Sequence, residues 1–172
     1  MAGLDLSRVL NSNKSSIFLS GIPIPPTSNH QYSTIVRGGK AIRFPSKETK
    51  AYATLFNAWA LRNKIQINNA VSKLEAWRSP LEIRCYIIFK KQRLITKDLF
   101  MKKLDISNRT KALHDLLSKA LQIDDCHFVS NINEKIISDN DDEQVVVVIQ
   151  PLKMRFETQL YDALEKEGVM NE

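Results

Sequence analysis

The sequence predicts an α+β domain in which a mixed, mostly antiparallel sheet packs against helices. Segments with apolar residues at every second position alternate along the chain with segments spaced as amphipathic helices. The 172 residues suit one domain by length. Hydrophobic residues make up 43% and charged residues 26% of the chain, which is typical of a globular protein and gives no sign of a collagenous, disordered or membrane protein.

The first elements are short and are separated by proline and glycine. Residues 1–16 are polar and predict a loose N-terminal extension, so that the domain covers residues 17–172. Ile17 to Ile22 predicts a strand that stops at the following prolines. Gly38-Gly39 lies between two strand-like segments, 32–37 and 40–44, and predicts a tight hairpin.

The next segments predict two helices and a strand. Ser46 with Thr49 opens a helix whose apolar face carries Tyr52, Leu55, Phe56 and Trp59. A second helical pattern covers Val71 to Trp77, and Leu81 to Phe89 alternates as a strand.

The end of the chain predicts two more strands and a helix. Residues 128–137 and 144–149 read as strands joined by a hairpin loop over 138–143. Residues 145–149 are apolar on both faces, which indicates a central or doubly covered strand. Residues 153–167 predict an amphipathic helix that packs on the sheet or forms part of a dimer contact.

Acidic and basic side chains are most ordered around a helix that begins near residue 107. Its apolar stripe consists of Leu113, Leu116, Leu117, Ala120 and Leu121. Ser107 or Asn108 suits the N-cap, and Asn108, Lys111 and Asp115 fall on another side.

Carboxylates lie just before and just after this helix. Asp105 suits the positive end of the helix, and Lys111 with Asp115 suits an exposed ion pair, so each has a structural explanation. Asp124 and Asp125 lie against the helix dipole, although a solvated turn would also hold them. If these acids converge, Mg²⁺ is the cation expected to offset their repulsion. The two helix ends meet only if the chain doubles straight back, or if a second subunit supplies one acid.

The charge is unevenly distributed. The net charge is +6, with +13 on residues 1–103 and −7 on residues 104–172. A basic half of this size is expected of a protein that binds a phosphate backbone, although basic surface loops would give the same count. The candidate DNA-binding cations lie on the hairpin and in the segment before Asp105: Arg37, Lys40, Arg43, Lys90, Lys91, Arg93, Lys97, Lys102 and Lys103.

Cysteine usage indicates a reducing compartment. Cys85 and Cys126 lie in apolar stretches, lack CxxC spacing, and do not cluster with the histidines. We therefore expect no disulfide and no zinc site, and a cytoplasmic protein with no membrane association.

The central pattern resembles the RusA family of Holliday junction resolvases. It reads Lys-x-Leu-Asp-x-x-Asn-x-x-Lys-x-x-x-Asp-x-Leu from Lys102, followed by Asp124-Asp125. Two weaker motifs are placed as in that family: Pro-Pro-x-x-Asn ending at Asn29, and Ser-x-Glu-x-x-x-Tyr from Ser46.

The resemblance implies a homodimeric, Mg²⁺-dependent endonuclease that cuts four-way DNA junctions symmetrically in recombination and repair, with Mn²⁺ as a possible substitute. Asp105 and Asp125 take the places of metal-binding aspartates, and Lys111 takes the place of the essential lysine. Asn29 and Asn108 are the motif asparagines expected to contact DNA.

One position departs from the family pattern. The family commonly has Asp-x-Asp-Asn where this chain has Asp105-Ile106-Ser107-Asn108, so a hydroxyl replaces a carboxylate. Either Ser107 binds the metal directly or through water, with Asp115 or Asp124 supplying charge, or activity is weakened. A junction-binding protein without catalysis and a regulatory protein that uses the acidic half are the alternative functions.

Overall fold

The computed structural model describes residues 16–27, 32–77, 80–104, 106–138 and 140–152, and only the backbone of Ser107 and Asn108. The predicted extension (apart from Ser16), the C-terminal helix over 153–167, Asn29 and Asp105 lie outside these residues. Statements about the fold below therefore concern the described part of the chain.

The elements follow one another as the sequence patterns predict, with one addition. The strands are β1 (Ile17–Ile22), β2 (Tyr32–Arg37), β3 (Lys40–Pro45), β4 (Leu81–Phe89), β5 (Phe128–Ile137) and β6 (Gln144–Pro151). The helices are α1 (Lys47–Arg62), α2 (Lys64–Trp77), α3 (Lys91–Leu94) and α4 (Ser107–Leu121), and a 3₁₀ turn covers Asp125–His127. The short helix α3 is the addition, and α2 begins seven residues before the segment that predicts it.

The sheet is mixed, as predicted. Its strand order is β1-β6-β4-β5, in which β6 is antiparallel to β1 and β4, and β5 is parallel to β4. Parallel neighbours need a crossover, and the segment that contains α3 and α4 supplies it. The hairpin β2-β3 forms a separate two-stranded ribbon whose turn residues Gly38 and Gly39 have φ values of 59° and 74°.

The predicted hairpin between β5 and β6 is wrong. Both strands exist, but β4 lies between them, so the loop over 138–143 connects strands that do not pair. The central position predicted for residues 145–149 is confirmed, because β6 pairs on both sides and these residues are buried. Their apolar side chains favour the interior of the sheet over an edge hairpin.

The main core lies between one face of the sheet and the helices α1, α2 and α4. Side chains from the helices also bind carbonyls of β1: Trp59 Nε1 donates to Ser20 O at 2.9 Å, and Gln66 Nε2 donates to Phe18 O at 2.6 Å. A smaller apolar cluster of Tyr86, Ile88, Val146 and Val148 lies on the opposite face.

The helix starts differ in how well the sequence predicts them. Ser46 caps α1 as predicted, since its Oγ accepts from Thr49 N at 3.1 Å. The N-cap predicted for α4 is wrong: Ile106 occupies that position, because its carbonyl already accepts from Arg109 N and Thr110 N. Leu55, predicted on the buried face of α1, is 59% exposed.

Among the described residues, no helix combines the length and the apolar character needed to cross a bilayer.

Candidate functional site

The N-terminal end of α4 lies at the edge of the sheet where β4 ends. Arg109, in the first turn of α4, is 5% exposed, and its guanidinium lies 5.8 Å from the centre of the Phe89 ring. Its Nη1 donates to Pro25 O at 2.7 Å. Arg109 therefore ties the proline segment after β1 to the start of the helix that follows Asp105.

Sequence reasoning missed Arg109. Arginine is rarely buried unless it is paired or hydrogen-bonded. The sequence signal available was its position in the predicted helix, one residue after the motif asparagine Asn108.

The chain reverses directly after α4. Gln122 adopts a left-handed conformation with φ 56° and ψ 37°. Its N–H approaches Lys119 O at 3.4 Å, and Ile123 N donates to Ser118 O at 3.0 Å, which together form a Schellman ending. The chain thus doubles back after α4, which is one of the two conditions that the sequence set for the helix ends to meet.

Three of the predicted acidic residues line one groove beside this reversal. Asp115, Asp124 and Asp125 border an open groove of about 550 Å³, together with Ser118, Lys119, Gln122 and Ile123. Asp124 and Asp125 are exposed, and Asp115 is half-buried. The apolar stripe of α4 turns the other way, since Leu113, Leu117 and Leu121 are fully buried.

Asp124 has a structural role in addition to its place in the groove. Its Oδ1 accepts from Cys126 N at 3.0 Å and caps the 3₁₀ turn. A turn therefore explains the presence of Asp124, which is the alternative that the sequence left open. The hydrogen bond that Asp124 accepts from the Cys126 backbone lowers the pKa of Asp124. A hydrogen bond between the Asp124 carboxylate and the Cys126 thiol raises the pKa of Cys126. Cys126 is exposed, so the apolar surroundings expected for it are wrong. Both cysteines are free, as predicted.

His114 is a second residue near the acids that sequence reasoning missed. Its Nε2 lies 3.6 Å from Cys85 Sγ, and its Nδ1 lies 3.4 Å from Asn131 Nδ2. Burial lowers the pKa of His114, whereas the negative charges of Asp115 and Asp125 raise it. A half-buried imidazole in the middle of α4 thus experiences the field of Asp125.

The groove that Asp125 shares with Asp115 and Ser118 places Asp125 beside the C-terminal half of α4. The helix is ~22 Å long at 1.5 Å per residue, and its start at Ile106 lies ~12 Å from His114 along the axis. Asp125 is followed by β5, whose first residue Phe128 pairs with Leu81, the first residue of β4. The chain therefore enters the sheet at the end of β4 opposite to Phe89. Asp125 and Ile106 therefore lie at different heights along α4.

The candidate DNA-binding residues lie on the β2-β3 ribbon and in the segment between β4 and α4. The hairpin residues Arg37, Lys40 and Arg43 are exposed. Lys91, Lys97 and Lys103 are exposed in the segment between β4 and α4. The basic segment thus leads directly from the end of β4 to the start of α4.

Three predicted cations of this segment also make contacts within the protein. Arg93 forms an ion pair with Glu143 at 2.8 Å, and its guanidinium lies 5.4 Å from the Phe89 ring centre. Lys90 N donates to Glu143 Oε1 at 3.1 Å, and Lys102 Nζ donates to Gln92 O at 2.6 Å. These contacts order the segment and reduce the charge that Arg93 and Lys102 offer to a phosphate.

The described carboxylates are of the type that binds a hard cation, but they do not form a complete metal site. Exposed carboxylates are the oxygen ligands that Mg²⁺ prefers. In the part of the chain that the structure describes, however, no three His, Cys, Asp or Glu side chains are close enough to hold a metal ion. Asp105 lies outside the described residues, as do the side chains of Ser107 and Asn108, and Lys111 is exposed on the turn before Asp115.

A mixed sheet with exposed cations in the segment before α4 is an arrangement typical of a nucleic-acid-binding α+β protein. A family model described as endodeoxyribonuclease RusA matches residues 23–150, which is most of the chain. The chain therefore belongs to the RusA family of endodeoxyribonucleases, whose members resolve Holliday junctions. A search of curated proteins finds no significant match.

Proposed function

We propose that the protein is a cytoplasmic, homodimeric, Mg²⁺-dependent endonuclease that resolves four-way DNA junctions by paired, symmetric cuts in recombination and repair. Asp105 and Asp125 would hold the cation, with Mn²⁺ as a possible substitute. The observation that supports a composite site is the groove that Asp125 shares with Asp115 and Ser118, which lies beside the half of α4 away from Ile106.

The separation favours a site shared between two subunits. From Gln122 to Asp125 the chain can return only ~10 Å, even when it is fully extended. The helix is about twice as long, so this return falls short of the N-terminal end of the same helix. A twofold axis would bring Asp125 of the partner subunit beside Asp105, and would create two equivalent sites.

Each residue then has a separate task. Bound Mg²⁺ would polarise the scissile phosphate and lower the pKa of a water molecule. Lys111 is exposed one helical turn from Asp115, and its ammonium would stabilise charge on the phosphoryl oxygens. Ser107 would contribute a hydroxyl, and Asp115 or Asp124 would supply negative charge in place of the family carboxylate. Hairpin and loop cations, with Asn29 and Asn108, would position the junction arms.

The direct test is cleavage of a synthetic four-way junction in Mg²⁺. We expect the wild type to introduce paired cuts, and Asp105→Asn, Asp125→Asn and Lys111→Ala to lose cutting but keep junction binding. If the wild type binds junctions but does not cut in Mg²⁺ or Mn²⁺, the protein is a junction-binding protein without catalysis. Equal affinity for junction and duplex would contradict branch recognition.

Mixed dimers test the composite site. An Asp105→Asn subunit paired with an Asp125→Asn subunit keeps one intact site if the acids come from different subunits, and none if they come from the same one. Random reassortment makes half of the dimers mixed, so we expect about a quarter of the wild-type sites and single nicks instead of paired cuts. A mixture as inactive as either variant alone would contradict the shared site.

A further inference from the structure

Three consecutive large apolar residues are exposed in the segment between β4 and α4. Leu99, Phe100 and Met101 are 75%, 72% and 60% exposed, and we call them the apolar tip. A single exposed apolar side chain is ordinary on a protein surface, but a contiguous apolar patch marks an interaction site.

The apolar tip is held in place by its backbone. Thr96 N donates to Phe100 O at 2.8 Å, and Lys102 N donates to Leu94 O at 2.7 Å. Leu94 is 1% exposed and anchors the base of the loop in the core.

Leu99 shows that this conformation carries strain. Its φ is 66°, a left-handed value that costs free energy for a leucine and that glycine would adopt freely. Leu99 thus exposes a bulky apolar side chain to water at a turn position that suits glycine. We take this as a sign that the side chain contacts a partner.

The surroundings of the apolar tip indicate which partner this is. Lys97 and Lys103 are exposed on either side of it, with Asp98 as the one carboxylate of the 91–104 loop. The loop leads directly to Ile106 and the start of α4. An apolar wedge flanked by cations suits nucleic acid, since the cations contact phosphates while the wedge replaces stacking between neighbouring bases.

We propose that the apolar tip inserts between base pairs at the branch point of a DNA junction, with Phe100 as the stacking side chain. This inference rests on the proposed function and adds the element that recognises the branch. Bases at a branch point have interrupted stacking, so a wedge separates them there at less cost than within a duplex. Branch selectivity would then come from the apolar tip, and general affinity from the lysines.

The test is the fluorescence of 2-aminopurine, which rises when the base is unstacked. The probe is placed at the branch point of a synthetic four-way junction, or in the middle of one arm, and the full-length protein is added in EDTA so that no cutting occurs. We expect a rise at the branch point only. The double variant Leu99→Ala/Phe100→Ala should lose more than about half of this rise, while its junction affinity falls by no more than about tenfold.

Two matched variants serve as controls. Leu61, on α1, is also 75% exposed, and Leu61→Ala should give the wild-type rise. Phe100→Trp keeps an aromatic ring and should keep most of the rise.

Several outcomes would overturn the proposal. One is a fluorescence rise in the double variant as large as that in the wild type. Another is a fluorescence rise with the probe in the arm as large as that with the probe at the branch point. Dissociation of the wild-type oligomer by the double substitution would assign the apolar tip to a subunit contact instead. Loss of binding to phosphatidylserine vesicles with unchanged fluorescence would assign it to a membrane surface. Failure of the wild type to bind junctions at all would also refute the proposed function, whereas junction binding without unstacking refutes the wedge alone.

Discussion

Replacement of Arg109 by methionine tests whether this buried guanidinium holds the start of α4. Methionine keeps most of the side-chain volume but removes the hydrogen bond to Pro25 O and the contact with the Phe89 ring. Loss of a hydrogen bond from a charged donor costs about 1.5 to 3 kcal/mol, and loss of a buried cation–π contact about 0.5 to 2 kcal/mol. We expect the free energy of unfolding to fall by about 2 to 5 kcal/mol, which is less than the stability of most ordinary domains.

Urea denaturation followed by circular dichroism measures this loss, with unchanged m values as a check that both states remain comparable. Arg62→Met is the matched control, because Arg62 is exposed on α1 and, within the described residues, donates to Ala58 O of its own helix. The control should stay within about 0.5 kcal/mol of the wild type. An Arg109→Met variant as stable as the control would refute the role assigned to the buried arginine.

Three further predictions follow from local features around α4. In thiol labelling at pH 7.5, Cys126 should react while Cys85 stays protected until the protein unfolds, because burial raises the pKa of Cys85 to about 12. Asp124→Asn should speed labelling of Cys126, since the carboxylate raises the pKa of that thiol; an unchanged rate would contradict the hydrogen bond. The pKa of His114 is lower in the folded state than its ordinary value of 6.5, so the unfolded chain binds the proton more readily and stability is lost as pH falls below about 6.5. Melting temperatures at pH 7.5 and 5.5 should therefore differ more in the wild type than in a His114→Gln variant. Gln122→Gly should raise the free energy of unfolding by less than about 1 kcal/mol in urea, since glycine relieves the left-handed φ at an entropic cost.

Element positions were predictable because their signals are local. Periodicity and prolines bounded β1 and β4, Gly38-Gly39 placed the ribbon turn, and Ser46 marked the start of α1. These signals depend on neighbours a few residues away, and tertiary packing did not override them.

Strand pairing was not predictable in the same way. Residues 128–137 and 144–149 are close in sequence, which favoured a hairpin, yet β4 from the first half of the chain separates them. The helix α4 between two apolar strand patterns was the available signal, since a strand, helix and strand in succession favour parallel pairing. Arg109 and His114 gave no such signal, because burial of a polar residue depends on partners that are distant in sequence.

The length of α4 shows why residues that are close together in a sequence motif need not form one site in a single subunit. A helix is a rigid spacer, so Ile106 at the start of the ~22 Å helix α4 is held away from Asp125, which lies in the groove beside the C-terminal half of the helix. The left-handed Gln122 turns the chain back, but β5 begins three residues after Asp125 and limits the return. We therefore propose that a second copy of the chain supplies the acid that completes the site. Under this proposal, the family motif would specify an association of two subunits as much as a set of metal ligands.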